Sequence, residues 1–157
     1  MPRIAVALGM AVLALPPALA RAAPEQGLAV YQSRCLPCHQ AGGVGAPGLA
    51  PPLAGTVGAY LGREGGRAYL AQVVVFGLNG PIRVQGQPFN GVMPPLAVLP
   101  DDEIAAVLNF VLADFNRGLL RADHRPLTAA EVASIRGRSP SMRDLRQMRA
   151  RFAGETR

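Results

Sequence analysis

A chain of 157 residues is the length of one domain with extensions, and half of it is hydrophobic, enough for a packed core. Three Tyr, five Phe and no Trp leave that core short of large rings, and a bound planar cofactor is one way to fill it. The net charge of +6 does not mark a nucleic-acid binder: residues 24–117 carry five Arg against six acids, whereas residues 118–157 carry nine against four, so the basicity belongs to the tail.

The N-terminus comes first. Arg3, the apolar run Ile4–Leu15, Pro16, Pro17 and the small-residue "ALARAA" have the three-part layout of a secretory signal peptide over residues 1–22. Cleavage would follow Ala20 or Ala22; an uncleaved anchor is the alternative, but the run is short for a span. No later run approaches spanning length, so the processed chain is expected to lack a transmembrane segment and to work in the periplasm. Pro24–Cys35 reads as a short helix, with Gly27, Val30, Tyr31 and Cys35 on one face. Tyr31, one turn before Cys35, is expected to pack beside whatever Cys35 holds. Residues 41–58 form a Gly/Pro/Ala-rich irregular loop. A second helix runs from about Gly66 to Phe76, ended by Gly77 and Gly80, and nothing nearby reads as a pairing strand. Residues 81–100 form another Pro/Gly-punctuated loop. Pro100 then precedes "DDEIAAVLNFVLADFN", whose three leading acids complement the helix dipole and whose Ile104, Val107, Leu108, Val111 and Leu112 make an apolar stripe, with Phe110 beside it. The body is therefore small and all-α.

In the tail, Thr128 and Glu131 fit a capping box for a helix ending near Gly137, and Ser141 is placed to cap another. Met142, Leu145, Met148 and Phe152 fall on one side of that last helix, and Arg143, Arg146, Arg149 and Arg151 elsewhere. The plain expectation is a solvated helix resting loosely on the body or partly disordered. The sharper one is a docking element for an acidic partner or anionic lipid.

The chemistry concentrates in "SRCLPCHQ". Cys35-Leu36-Pro37-Cys38-His39 matches C-x-x-C-H, the attachment sequence of a c-type haem. Two thiols three apart on a helical turn point the same way and can add to the vinyl groups along one porphyrin edge; the next residue then lies under the iron, where an imidazole can bind. A redox disulfide centre needs no following His and usually sits in a βαβ context absent here. A zinc site would have to recruit the distant His124. A two-residue structural disulfide would be strained. The sixth iron position decides function. Met93 is the one Met of residues 24–117. A lone Met is often core filler, but this one sits in a loop, with Gly91 giving the backbone room to turn close to the macrocycle and Pro94 and Pro95 stiffening the chain. Met142 and Met148 lie on the tail stripe and read as packing. His124, in the polar "RADHRP", is the rival ligand.

With these residues in place the sequence resembles the class I bacterial cytochromes c over about residues 24–117. The resemblance rests on the C-x-x-C-H, on "APPL" at 50–53, and on "GVMPPL" followed by an acid-capped helix. It is also similar to the cytochrome subunits of periplasmic dehydrogenases, with "PLTAAEVASIR" in the tail adding to that likeness. It implies the small cytochrome c fold, about three core helices with long loops around one covalent haem c, followed by a basic helical extension over 118–157. It implies thioethers at Cys35 and Cys38, His39 as proximal and Met93 as distal iron ligand, the Pro52 carbonyl on the other ring nitrogen of His39, and Tyr31 with Phe110 where the first and last helices cross. Mitochondrial-type members ring the haem edge with Lys; this chain has no Lys, which speaks against docking to a strongly acidic partner through the body.

A His/Met-closed iron exchanges electrons with little movement and does not readily bind oxygen, and Met ligation in an apolar pocket raises the potential. The expected function is single-electron transfer between extracytoplasmic donor and acceptor proteins, as a free carrier or as the cytochrome subunit of a dehydrogenase, with no catalytic residues and no nucleic acid. The alternative is a haem enzyme or gas sensor with an open or displaceable sixth site.

Overall fold

The computed structural model describes the backbone of residues 17–153 and the side chains of residues 23–152. The apolar run of the expected leader lies outside the described residues. Helix α1 spans Pro17–Val30, earlier than the Pro24 start expected, because "ALARAA" is made largely of strong helix formers. It continues through a widened π-helical turn at Tyr31–Cys35 into the single turn α2, Leu36–His39. Helix α3 is Gly66–Phe76, α4 is Asp101–Phe115, α5 is Ala129–Arg136 and α6 is Met142–Ala153.

The first and fourth helices cross at their closest point over Gly27. A Cβ there would lie 2.3 Å from the Ala106 carbonyl oxygen, so only hydrogen lets the two backbones meet. Beside the crossing, the Tyr31 ring meets Phe110 at 5.5 Å, tilted, and Phe115 at 5.2 Å, edge to face, as the resemblance implied for Tyr31 and Phe110. The predicted stripe of α4 is buried, with Ile104 and Leu112 almost fully so. Each such side chain contributes on the order of 2 kcal/mol of transfer free energy.

The segment between α3 and α4 departs from a plain loop. It contains four short strands in two antiparallel pairs: β1 (Leu78–Asn79) with β4 (Val92–Met93), and β2 (Ile82–Val84) with β3 (Gln87–Phe89). The inner hairpin turns at Gln85 and Gly86, both at positive φ, the two-residue geometry whose twist suits antiparallel strands. "QG" is a weaker sign of that turn than "NG" or "DG", and strands of two or three residues carry no readable alternation.

The tail is folded onto the body. Both expected caps form: Thr128 with Glu131 on α5, and Ser141 with Asp144 on α6. Asn109 on α4 exchanges two hydrogen bonds with the backbone of Leu127. Arg67 on α3 pairs with Glu131 at 2.9 Å, and Arg136 on α5 bonds Asp101 and the carbonyls of Ala97 and Leu99. Leu145 is fully buried, and Phe152 packs on Tyr60 and Tyr69 at 5.6 and 5.3 Å. The loosely resting helix is therefore corrected: aromatic packing and arginine-to-backbone bonds fasten it. Arg149 departs furthest from expectation, lying inward and 5% exposed.

Candidate functional site

Between α2, α3, α4 and the β segment lies a cleft of roughly 1390 Å³ including its open mouth. Cys35, Cys38, His39 and Met93 all line it, so the structure brings the four candidate residues to one place. His124 stays outside, in a turn bonded to Arg121, and no group of three or more His, Cys, Asp or Glu gathers among the described residues.

His39 closes α2 and is buried. Its Nδ1 lies 3.0 Å from the Pro51 carbonyl oxygen. A carbonyl only accepts, so Nδ1 carries the proton and Nε2 keeps its lone pair. Burial, partly opposed by the Pro51 bond, holds the imidazole pKa below its usual value, which keeps it neutral. The partner is Pro51, not Pro52 as the resemblance implied. The carbonyl of Pro52 accepts instead from the Thr56 hydroxyl at 2.7 Å. Tyr31 does not line the cleft as expected. Its hydroxyl donates to the Gln40 carbonyl at 2.6 Å and fixes the chain where it leaves His39, with Gln40 at the unusual φ of 60°.

Asn116 supports this side and was not singled out from the sequence. It is buried and makes four hydrogen bonds: Oδ1 accepts from the backbone N–H of Thr56 and Gly58, and Nδ2 donates to the carbonyls of Leu53 and Val111. It thereby ties the Pro51–Leu53 loop to the end of α4. One Asn just past a helix resembles an ordinary cap, so spacing alone does not reveal it.

Met93 is half-buried on β4, paired with Leu78 of β1. Gly77 makes the approach possible: at φ +75° it puts a hydrogen where a Cβ would come within 2.5 Å of the Met93 carbonyl oxygen. The Leu96 N–H then donates to the Val74 carbonyl at 2.9 Å and returns the chain to α3. Gly91 brings its loop against the Leu49 carbonyl, a contact between two loops.

The two thiols are not joined to each other; Cys38 is exposed and Cys35 half-buried. Burial, and next the neighbouring Cys38, push the Cys35 thiol up to about 11. That is the opposite of the thiolate a redox nucleophile needs.

The lining tests what the cleft can hold. Its lining is largely apolar, with Leu70, Val74, Leu96, Val107, Leu108 and Val111, and among the described residues it contains no carboxylate. Its polar lining includes Tyr60, Tyr69 and Arg149. Burial pushes the Tyr69 phenol up to about 12, so it stays protonated as a donor. An apolar slot with donors and a cation, two thiols and one bare imidazole nitrogen fits a porphyrin: a greasy disc with two carboxylates and a metal that accepts nitrogen and sulfur.

Comparisons with known proteins agree. The family described as cytochrome C oxidase, cbb3-type, subunit III, matches residues 22–111. One cytochrome c-552 of Thermus thermophilus is 45% identical over 116 residues, which cover 74% of this chain and 78% of the relative. A second Thermus thermophilus cytochrome c-552 is 45% identical over 112 residues, 71% of this chain and 85% of that one. With its helices wrapped around an apolar slot and these relatives alongside, the chain belongs to the class I c-type cytochromes: an electron carrier holding one covalently attached haem c.

Proposed function

We propose that Cys35 and Cys38 would carry the two thioethers, that His39 and Met93 would hold the iron, and that the chain passes single electrons between extracytoplasmic redox proteins. The observation that supports this most is the convergence of His39, with Nε2 bare, and Met93, on a stapled loop, upon one apolar cleft. The haem, when bound, supplies a one-electron iron couple whose charge changes by one unit. The residues around it do the rest. Pro51 fixes the tautomer and plane of His39. The β1–β4 pair fixes the backbone that carries the Met93 thioether, as a weak sulfur–iron bond would require. The apolar floor excludes water and favours the less charged, reduced state.

Changing Met93 to Ala tests the ligation. The Met-to-iron charge-transfer absorption of the oxidised protein should vanish, and the ferrous variant should take up carbon monoxide. A wild-type protein that is five-coordinate and binds carbon monoxide at once would favour the sensor or enzyme reading instead.

We also propose that residues 1–22 are a leader removed on export to the periplasm. Pro24 supports this. Inside α1 it cannot donate to the carbonyl four residues back, whereas removal after Ala20 or Ala22 would leave it in a first turn, where that N–H has no helical partner anyway. No described helix is long and apolar enough to cross a membrane. The intact mass of protein from the periplasmic fraction tests this: a chain starting at Arg21 or Ala23 is expected, and one retaining Met1 contradicts it. Donor and acceptor are protein redox partners, met as a free carrier or as the fixed cytochrome subunit of a dehydrogenase. Co-purification from the native source separates the two.

A further inference from the structure

The cleft contains a buried cation that electron transfer through the iron does not explain. Arg149, on α6, is 5% exposed and lines the same cleft as His39 and Met93. Two of its five donors are used: Nη1 donates to the Tyr60 hydroxyl oxygen and Nη2 to the Arg83 carbonyl. Its Nε is buried with no partner among the described residues. No carboxylate among the described residues forms an ion pair with it, and the cleft wall offers none. Other tail arginines, Arg121 and Arg136, do have such partners.

Burying a guanidinium without a counter-charge is strongly unfavourable, so a natural chain that does so has an anion to meet. The anion has to reach the inside of an apolar slot. Beside Arg149 stand two phenols, Tyr60 and Tyr69, their rings edge to face at 5.7 Å, with Phe152 of the same helix closing over both. Arg149 donates into the Tyr60 oxygen, which leaves the Tyr60 proton free to be given. A cation and two hydroxyl donors form a receptor for a carboxylate.

We propose that Arg149, delivered by the C-terminal helix, is the charge partner of a haem propionate, with Tyr60 and Tyr69 as hydrogen-bond donors beside it. The inference rests on haem c filling this cleft. It gives the basic tail a role inside the protein: α6 completes the cofactor site rather than serving only as an outward docking arm. A fixed positive charge at the macrocycle edge also favours the ferrous over the ferric state, so this helix sets part of the reduction potential.

The test compares Arg149→Met and Arg149→Lys in holoprotein matured with its haem. At a fixed ambient potential, Arg149→Met should shift the reduced-to-oxidised ratio about tenfold toward the oxidised form, equivalent to about 59 mV for one electron. The propionate bending mode in the resonance Raman spectrum should move with it. Arg149→Lys should restore most of the potential. Unchanged potential and propionate mode in a folded Arg149→Met protein would overturn the proposal. So would equal shifts in both variants with the propionate mode unmoved, the result expected of a purely structural clamp. If Arg149→Met does not mature, the wild-type ferrous protein decides. A nuclear Overhauser contact between the Arg149 Nε–H and a propionate methylene is required, and its absence overturns the proposal. The Met-to-iron absorption, recorded on the same samples, reports the axial ligation separately, so failure there is distinguishable from failure of the arginine.

Discussion

His39 and Met93 face one cleft from supports of opposite kinds. His39 ends a continuous run of helix, is buried, and is oriented by a loop that Asn116 ties to α4. The hydrogen bonds that steady it, from Pro51 and through Asn116, all come from the body and none from the tail helices. Met93 sits on a two-residue strand, half-buried, and much of what steadies its segment comes from the tail. Arg136 grips the carbonyls of Ala97 and Leu99 where the loop leaves, Arg146 reaches the Asn79 carbonyl on β1, and Arg149 holds the Arg83 carbonyl on β2. The difference matches the chemistry proposed for each side. Imidazole binds iron firmly and needs only orientation, whereas a thioether binds weakly and needs a loop that cannot drift. A short β segment has too little core of its own to supply that stiffness, so other elements must brace it.

The comparison can be broken most severely on the His39 side. Replacing Asn116 by Ala leaves the buried Gly58 N–H without its acceptor and the half-buried Thr56 N–H with only a long bond to the Leu53 carbonyl, and should cost about 2 kcal/mol of global stability. The denaturation midpoint of the ferric holoprotein checks this; a loss of only a few tenths would mean the loop is held by something else. On the Met93 side the cost should be smaller and local. Gly77→Ala forces a side chain onto a left-handed backbone against the Met93 carbonyl and should cost roughly 1–2 kcal/mol. Its clearer sign is faster carbon monoxide uptake by the ferrous protein, which Asn116→Ala at the same temperature should not match. Equal uptake in the two variants would remove the distinction between the sides.

The smallest effect comes from acid. The Arg67 guanidinium, helped by Thr128, holds the Glu131 carboxyl down to about 2, below its ordinary value of 4.5. A depressed carboxylate pKa stabilises the fold above 4.5, and that contribution fades as pH falls from 4.5 toward 2. Between pH 5 and pH 3, amides of α5 should lose protection in hydrogen exchange, corrected for intrinsic rates, while the buried α1–α4 crossing does not. Glu131→Gln should flatten that response. The residue is partly exposed, so the change in global stability stays small.

What the sequence made legible follows from how strongly each feature is marked. The C-x-x-C-H spacing, the acid-led apolar stripe of α4 and the two tail caps rest on local rules, and the structure contains each of them. The β segment was not legible, because two-residue strands leave no periodicity to read. Pro51 and Pro52 are neighbours of one type, and only the path of the loop decides which carbonyl meets His39. Arg149 shares a helix with solvent-facing arginines, and no property of the residue itself distinguishes the one that turns inward. Asn116 was hidden for the same reason: its four partners are scattered from Leu53 to Val111.

The central claim is that His39 and Met93 would together hold the iron of one porphyrin. The most direct measurement is a carbon–proton correlation spectrum of the reduced holoprotein with its methionine methyls labelled. The haem ring current should carry one methyl far upfield of Met142 and Met148, and Met93→Leu should delete that resonance alone. A spectrum with every methionine methyl in the ordinary range would contradict the account.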